Sequence, residues 1–440
     1  MKKSVVGILI VLAVVVLISP AIVGRMAEKS MDENLNWAAQ EAGEVRVTSE
    51  SFTRGWFSSE GQHRVEIQDG ELLVAIQAMS GPVSADELPV LVINTKLDHG
   101  LIPITSMGRE KGSLAPGLGS AVSTLAIEMP DGESIDLPGT IYSKVGLGGE
   151  LLSNYVLSPG SHTEDGTTAS WGTTNVEIQT DPKSGEAIFS GVINSLSILN
   201  GDFSVSLGNL SFEGEQHPSK YGISVGDLTM ELSDFEVGGD GTMPIGGFDA
   251  MSLEASTRLD GDEVNADAKM SMAMKGLPQF GSMSFDLDFE LAGADAEALG
   301  RMQRALDELG AAADPMATYG AVQDDLMQLF AAGFDLNFRK LDIALPQGTI
   351  SSKMLFSFAE EDPATFAWTS LLLNTEAAID LSVPASLVDM LVQSEPNAAM
   401  VIGAGYLVKR GEAYEMSAEM KKGLLTVNGA PIPIPFGAMR

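Results

Sequence analysis

The sequence predicts a mainly β protein of the α+β class. An N-terminal transmembrane helix leads into an extended, curved antiparallel sheet, with a helical-pair insert near 295–332 and short helices in the C-terminal third. Three observations carry this. Twenty uncharged residues run from Ser4 to Val23. Beyond them, apolar and polar residues alternate with period two between turn signals. Between Asp295 and Ala332 the period becomes helical, and it then reverts.

The Ser4–Val23 run is rich in Val, Leu and Ile and follows Lys2 and Lys3. An apolar helix of roughly 20 residues spans about 30 Å, the thickness of a bilayer core. A cleavable signal is the rival reading, but the exit SPAIVGRMAEK has no A-x-A site. With no cysteine in the chain, a lipoprotein anchor is excluded. The two lysines favour a cytoplasmic N-terminus, although Arg25 and Lys29 flank the other end. The expected organisation is a tail at 1–3, an anchor at 4–23 and a juxtamembrane helix at 24–43. A β region follows at 44–293, then a helical insert at 294–333 and an α+β region at 334–440 that continues the sheet.

From Val45 the alternation begins, and Gly55 is a turn candidate beside Trp56 and Phe57. Leu88 to Leu97 reads as a strand, and Asp98-His99-Gly100 as a turn before Leu101–Ile104. From about Ser120 to Leu291 the chain reads as many short strands. Their turns fall at Pro130-Asp131-Gly132, Asp165-Gly166, Asn200-Gly201, Gly238–Gly241 and Asp260-Gly261-Asp262. Val264, Ala266, Ala268, Met270, Met272 and Met274 form the longest apolar ladder. Met283, Phe285, Leu287, Phe289 and Leu291 form another, alternating with Ser284, Asp286, Asp288 and Glu290. Each strand therefore has one dry face and one wet, often acidic, face.

Leu299, Met302, Leu306 and Leu309 mark one amphipathic helix, and Tyr319, Val322, Leu326 and Phe330 a second that begins at Asp314-Pro315. Strands return at Phe334–Ile343 and Thr349–Phe358. Asp362-Pro363 is read as the cap of a short helix through Leu373, and Ala377–Val383 as a strand. A helix opened by Pro384 follows, and AAMVIGAGYLV is read as a packed helix whose glycines allow close approach. Tyr414–Met420 alternates, and Leu424–Val427 with Asn428-Gly429 signals a hairpin. The PIPIP tail is unsuited to a central strand.

With 60 acidic and 26 basic residues the formal charge is −34, which argues against nucleic acid and against a face lying flat on anionic headgroups. Without cysteine there is no disulfide, thiol catalysis or thiolate metal site. His63, His99, His162 and His217 lack zinc-type spacing. Asp260, Asp262, Asn265 and Asp267 could crowd a calcium ion, but a solvated hairpin tip explains them better. No Walker A loop, nucleophile elbow or H-E-x-x-H occurs, so no catalytic, cofactor or metal residues are assigned.

Four stretches carry a resemblance: the MKK-plus-anchor start, RGWFSS (Arg54–Ser59), LDHGLIP (Leu97–Pro103) and LLTVNGAPIP (Leu424–Pro433). Together they resemble the YdgA-like family of bacterial envelope proteins of unknown function. The resemblance implies a single-pass inner-membrane protein with its bulk in the periplasm, and it supplies no catalytic residues. Its motif positions here are Arg54, Gly55, Phe57, Asp98, His99, Gly100, Pro103, Asn428 and Gly429, read as fold-defining turns.

The expected function is non-enzymatic, in envelope assembly or maintenance through protein or lipid contacts, with a homodimer or an envelope protein as partner. One alternative is a lipid-binding or lipid-transfer module. In it, Met270, Met272, Met274, Phe285 and Phe289 face lipid from an incompletely covered sheet, methionine being a soft and adaptable lining. The other reading of these residues is the packed core of a sandwich. A hydrolase working near Asp98-His99 is the second alternative. It is disfavoured because adjacent side chains on an extended strand point to opposite faces.

Overall fold

A computed structural model describes residues 45–432. Left out are 55–57, 69–72, 74–83, 86–87, 100–118, 147–149, 240–242, 278–280 and 310–314, and positions 131, 165, 182, 202 and 395. The expected anchor and juxtamembrane helix, the turn at Gly55 and Phe57, Gly100 and Pro103, and the end of the PIPIP tail thus lie outside the described residues. Among the described residues no helix is long and apolar enough to cross a membrane. The chain divides into two units, one ending at Pro218 and the other beginning at Ser219.

Unit 1 is an antiparallel meander. Strands β1 (Val45–Arg54), β2 (Ser58–Ile67), β3 (Val90–His99), β4 (Gly119–Glu128), β5 (Ser134–Val145) and β6 (Leu151–Leu157) pair in sequence. A small hairpin, β7 (Gly160–Glu164) and β8 (Thr167–Trp171), interrupts the order before β9 (Thr174–Asp181) returns beside β6. The long β10 (Glu186–Asn200) pairs with β9 along its first half and β8 along its second, and β11 (Phe203–Pro218) runs beside all of it. Period-two patterning decides which side is dry. Thr174, Val176, Ile178 and Thr180 of β9 are buried while the residues between them are exposed. Val65, Leu91, Leu125, Ile127 and Leu151 are buried with them. The core is not wholly apolar: the Thr95 and Ser123 hydroxyls bond each other at 2.8 Å, and His63 is 4% exposed.

Unit 2 is a second meander of longer strands. Strands β12 (Ser224–Gly239), β13 (Met243–Asp260), β14 (Glu263–Leu277), β15 (Gly281–Asp295), β16 (Phe334–Leu345), β17 (Gly348–Phe358) and β18 (Thr375–Pro384) pair in order. β20 (Ala413–Lys421) then pairs with β18, and short β19 (Val408–Arg410) and β21 (Leu424–Val427) lie along its other side. β22 (Ala430–Ile432) closes the edge, where Pro431 is tolerated. The structure corrects the expected short strands: β10 to β15 run 15 to 18 residues each. The turns were placed where the sequence signals them, but the chain stays extended from one to the next.

The helical insert comprises α1 (Ala296–Leu309) and α2 (Pro315–Ala332). Asp295 caps α1, its carboxylate accepting the Ala298 amide at 2.7 Å. Ala296 and Ala298 are fully buried against Val264, Ala294 and Leu329, so the helices approach the sheet closely. Arg301 joins the pair, donating to Asp325 at 2.6 Å and to Gln328 at 2.5 Å. The remaining helices are α3 (Trp368–Asn374), α4 (Ala385–Ser394) and α5 (Pro396–Gly403).

Two expectations are corrected here. Asp362-Pro363 does not cap a helix. The Asp362 carbonyl closes a turn with Thr365 and Phe366, and α3 begins only at Trp368. The AAMVIG stretch is helical but not enclosed: Met400 is 70% exposed, and a side chain at Gly403 or Gly405 would meet open space. Its glycines serve the exit instead, with Gly405 at φ 78 beyond the last turn.

Candidate functional site

The apolar ladders of unit 2 align because the strand registers agree. Met230, Leu253, Met270, Leu287 and Leu341 are successive cross-strand partners, and the row continues through Ser352 and Leu381 to Met416. Rows on either side follow the same registers. Leu232, Met251, Met272, Phe285, Ile343 and Ile350 form one, and Leu228, Ala255, Ala268, Phe289, Phe338, Met354, Ile379 and Ala418 the other. Met274 lies opposite Phe248 and Met283 at the end of its strand. One face of β12–β18 and β20 is therefore apolar across eight strands.

None of these row residues is fully buried; each is half-buried. The core of a closed sandwich would bury such side chains almost completely. Among the described residues, full burial on this face occurs only near its ends. At one end α1 and α2 cover Val264 and Ala294, and an aromatic cluster of Phe330, Phe334, Phe358 and Trp368 adds centroid separations of 4.6–5.8 Å. At the other, α4 and α5 pack Ala385, Val388, Val392 and Ile402 on Val383 and Tyr414. Between the helices, no second layer of unit 2 lies on the face among the described residues. Met270, Met272, Met274, Phe285 and Phe289 thus come together on the half-buried part of the sheet.

The opposite face is wet. A bulge in β16 sets both Arg339 and Lys340 opposite Lys353. Arg339 sits among Asp267, Asp288 and Glu290, and these carboxylates outweigh desolvation, leaving its pKa raised. Lys340 pairs with Asp286 at 3.2 Å. A groove of about 800 Å³ runs from this bulge toward Arg410, Glu415 and Asn428. Its bases are mostly committed to neighbouring acids, so it reads as a solvated surface of the kind where single ion pairs contribute little.

Three of the four side chains of the calcium alternative have partners within the protein. Asp262 accepts from Tyr221 and Lys220, Asn265 accepts the Gly293 amide, and Asp267 pairs with Arg339. Among the described residues no group of three His, Cys, Asp or Glu could hold a metal. Asp98 is 1% exposed within β3, opposite Ser58 and Ser120. The side chain of His99 is outside the described residues, as is that of Arg54, the last residue of β1. The Arg54–Ser59 register makes RGWFSS the connection of a hairpin.

Asn428 and Gly429 form the two-residue turn between Val427 and Ala430, with φ 50 and 80, the pattern of a type I′ hairpin. A second role for Asn428 carried no signal in the sequence. Its amide donates to the carbonyls of Gly405 at 2.9 Å and Tyr406 at 3.1 Å, and its oxygen accepts the Ser417 amide. The hairpin turn thereby holds the exit of α5. Local spacing cannot reveal this, because the partners are more than twenty residues away.

Comparison with curated proteins and with solved structures gave no match. One family model covers residues 1–435, nearly the whole chain. The chain belongs to the DUF945 family, bacterial proteins of unknown function.

Proposed function

We propose that this protein is a non-enzymatic component of the bacterial envelope that binds lipid acyl chains on the apolar face of its unit 2 sheet. In this reading the Ser4–Val23 segment anchors it in the inner membrane, with the N-terminus cytoplasmic and the bulk of the chain in the periplasm. One observation carries the lipid reading: rows of aliphatic, methionine and phenylalanine side chains run across eight strands and stay half-buried. Such a face left to water costs about 25 cal/mol per Å² of apolar area. Acyl chains are flexible, and methionine adapts to them. The helices at either end give the face a bounded length.

Native mass spectrometry of the detergent-extracted protein tests this. Phospholipid is expected to stay bound to the folded monomer. Met272→Glu, a substitution at a half-buried position, should remove most of it while leaving circular dichroism unchanged. Wild-type protein that is lipid-free at full occupancy would defeat the reading. Orientation is tested separately: alkaline-phosphatase fusions after Gly43 should be active, and inactive fusions would place the bulk of the chain in the cytoplasm.

A further inference from the structure

The chain has 22 methionines and no cysteine, so all of its sulfur is thioether. Several of these side chains meet where β13, β14 and β15 run side by side. Met272 stands directly opposite Met251 on β13, and Met274 directly opposite Met283 on β15. Phe285 lies on the other side of Met272, and Phe248 on the other side of Met274. The methionines therefore trace a zigzag, Met251–Met272–Met274–Met283, across the three strands, and the phenylalanines take the two remaining corners. All six are half-buried, so solvent reaches them. Directly paired residues have Cβ atoms about 4.5–5.5 Å apart, and residues two apart on one strand are separated by roughly 7 Å. Methionine is unbranched with three rotatable bonds, so neighbouring thioethers can converge without moving the backbone.

What the patch lacks narrows the ligand. Among the described residues, no charged or imidazole side chain stands in either row. An unbroken register from the Met251–Met272 pair would set Asp249 opposite Met274. Instead β13 shifts by one residue between Phe248 and Ala250, and Phe248 takes that place. The Asp249 side chain is 61% exposed beside Lys275. Calcium and magnesium require oxygen ligands, and zinc takes imidazole, thiolate or carboxylate. Neutral, soft thioethers suit Cu(I). The chain's net charge of −34 also raises the local concentration of cations.

The geometry points to a Cu(I) site made by the thioethers of Met251, Met272, Met274 and Met283. Phe248 and Phe285 border it and bring no oxygen donor. The site does not rest on the acyl-binding reading, since a metal ion held by thioethers needs no lipid beside it. Thioethers have no proton to lose, so the affinity is expected to hold from neutral to mildly acidic pH, where imidazole ligands become protonated.

The test uses the detergent-extracted full chain. Ag(I), a redox-inert ion of similar softness, is titrated by calorimetry, and Cu(I) kept reduced by ascorbate is measured by competition with a chromophoric chelator. Met272→Leu/Met274→Leu is expected to weaken both by an order of magnitude or more. Met251→Leu/Met283→Leu, on the flanking strands, should do the same. These substitutions conserve volume and apolarity, so circular dichroism and any bound lipid should be unchanged. Met400→Leu, at a 70% exposed methionine outside the patch, is the control and should bind as wild type does. X-ray absorption should show Cu(I) surrounded by sulfur alone. Wild-type affinity in both double variants would overturn the proposal, and so would nitrogen or oxygen ligands or a loss of affinity at mildly acidic pH. Cu(I) bound to a protein that carries no lipid would remove the acyl-binding reading and leave this site standing. Bound lipid without Cu(I) affinity would do the reverse.

Discussion

Gly300→Val is expected to destabilise unit 2 by about 3 kcal/mol, the upper part of the range for overpacking a buried site. Gly300 is buried in α1, where a Cβ would come within 2.1 Å of the Tyr221 carbonyl oxygen. That oxygen also accepts from Arg304 at 2.7 Å, so the Ser219–Ile223 turn is held against the helix and is not free to move aside. Intrinsic propensity points the other way, since glycine costs a helix roughly 1 kcal/mol relative to alanine. Gly320 in α2 separates the two effects. It is exposed, and a side chain there meets nothing within 4 Å. Gly320→Ala should therefore stabilise by up to about 1 kcal/mol. For a unit of this size, roughly 2–4 °C per kcal/mol, calorimetry should show a fall of about 6–12 °C for Gly300→Val and a small rise for Gly320→Ala. Equal responses at the two sites would mean that α1 does not touch the turn.

Unit 1 is expected to loosen on mild acidification, and His63 is the cause. It is 4% exposed, and neither ring nitrogen has a hydrogen-bond partner among the described residues. On β3 it faces Ile93, with Leu91 and Thr95 alongside; Arg64 and Glu128 lie on the other side of the sheet. Desolvation disfavours the imidazolium, so its pKa is lowered from 6.5. The unfolded chain then takes up a proton before the folded one does. Stability is full above 6.5, declines as pH falls below it, and stops declining once the folded-state value is passed. Glu128 acts lower down. Its bidentate bonds from Arg64, at 2.6 and 3.1 Å, hold its carboxyl below 4.5, so its contribution is present above 4.5 and is lost as pH drops through the lowered value. Hydrogen exchange of β2–β4 peptides should show the first loss in wild type and not in His63→Leu, while both keep the second. An identical profile for the two proteins between neutrality and the Glu128 window would acquit His63.

Much of this fold was legible because it is local. Asn428-Gly429 specifies a type I′ turn by its dihedrals, and it closes that hairpin. The turns at Asn200-Gly201 and Asp260-Gly261-Asp262 join β10 to β11 and β13 to β14. The helical stripe from Leu299 to Phe330 became α1 and α2. The strands run past the alternating ladders, β13 over Met243–Asp260 and β15 over Gly281–Asp295, because pairing with both neighbours keeps extended the residues on either side of a ladder. The AAMVIG helix packs through Ile402, but its glycines make no close approach, since a side chain at Gly403 or Gly405 would meet open space; composition reports a preference for burial and not where the neighbour lies.

The sequence by itself determined the mainly β class, the turn positions, the helical insert and the two-faced strands. A side chain's face on a strand follows from its parity, and a turn follows from the dihedrals its residues tolerate. Tertiary structure alone decided that the ladders join into continuous rows, that the rows are only half-buried between the helices, and that Asn428 reaches back to α5. Register and cover depend on pairings between residues far apart in the chain, and no local pattern encodes them.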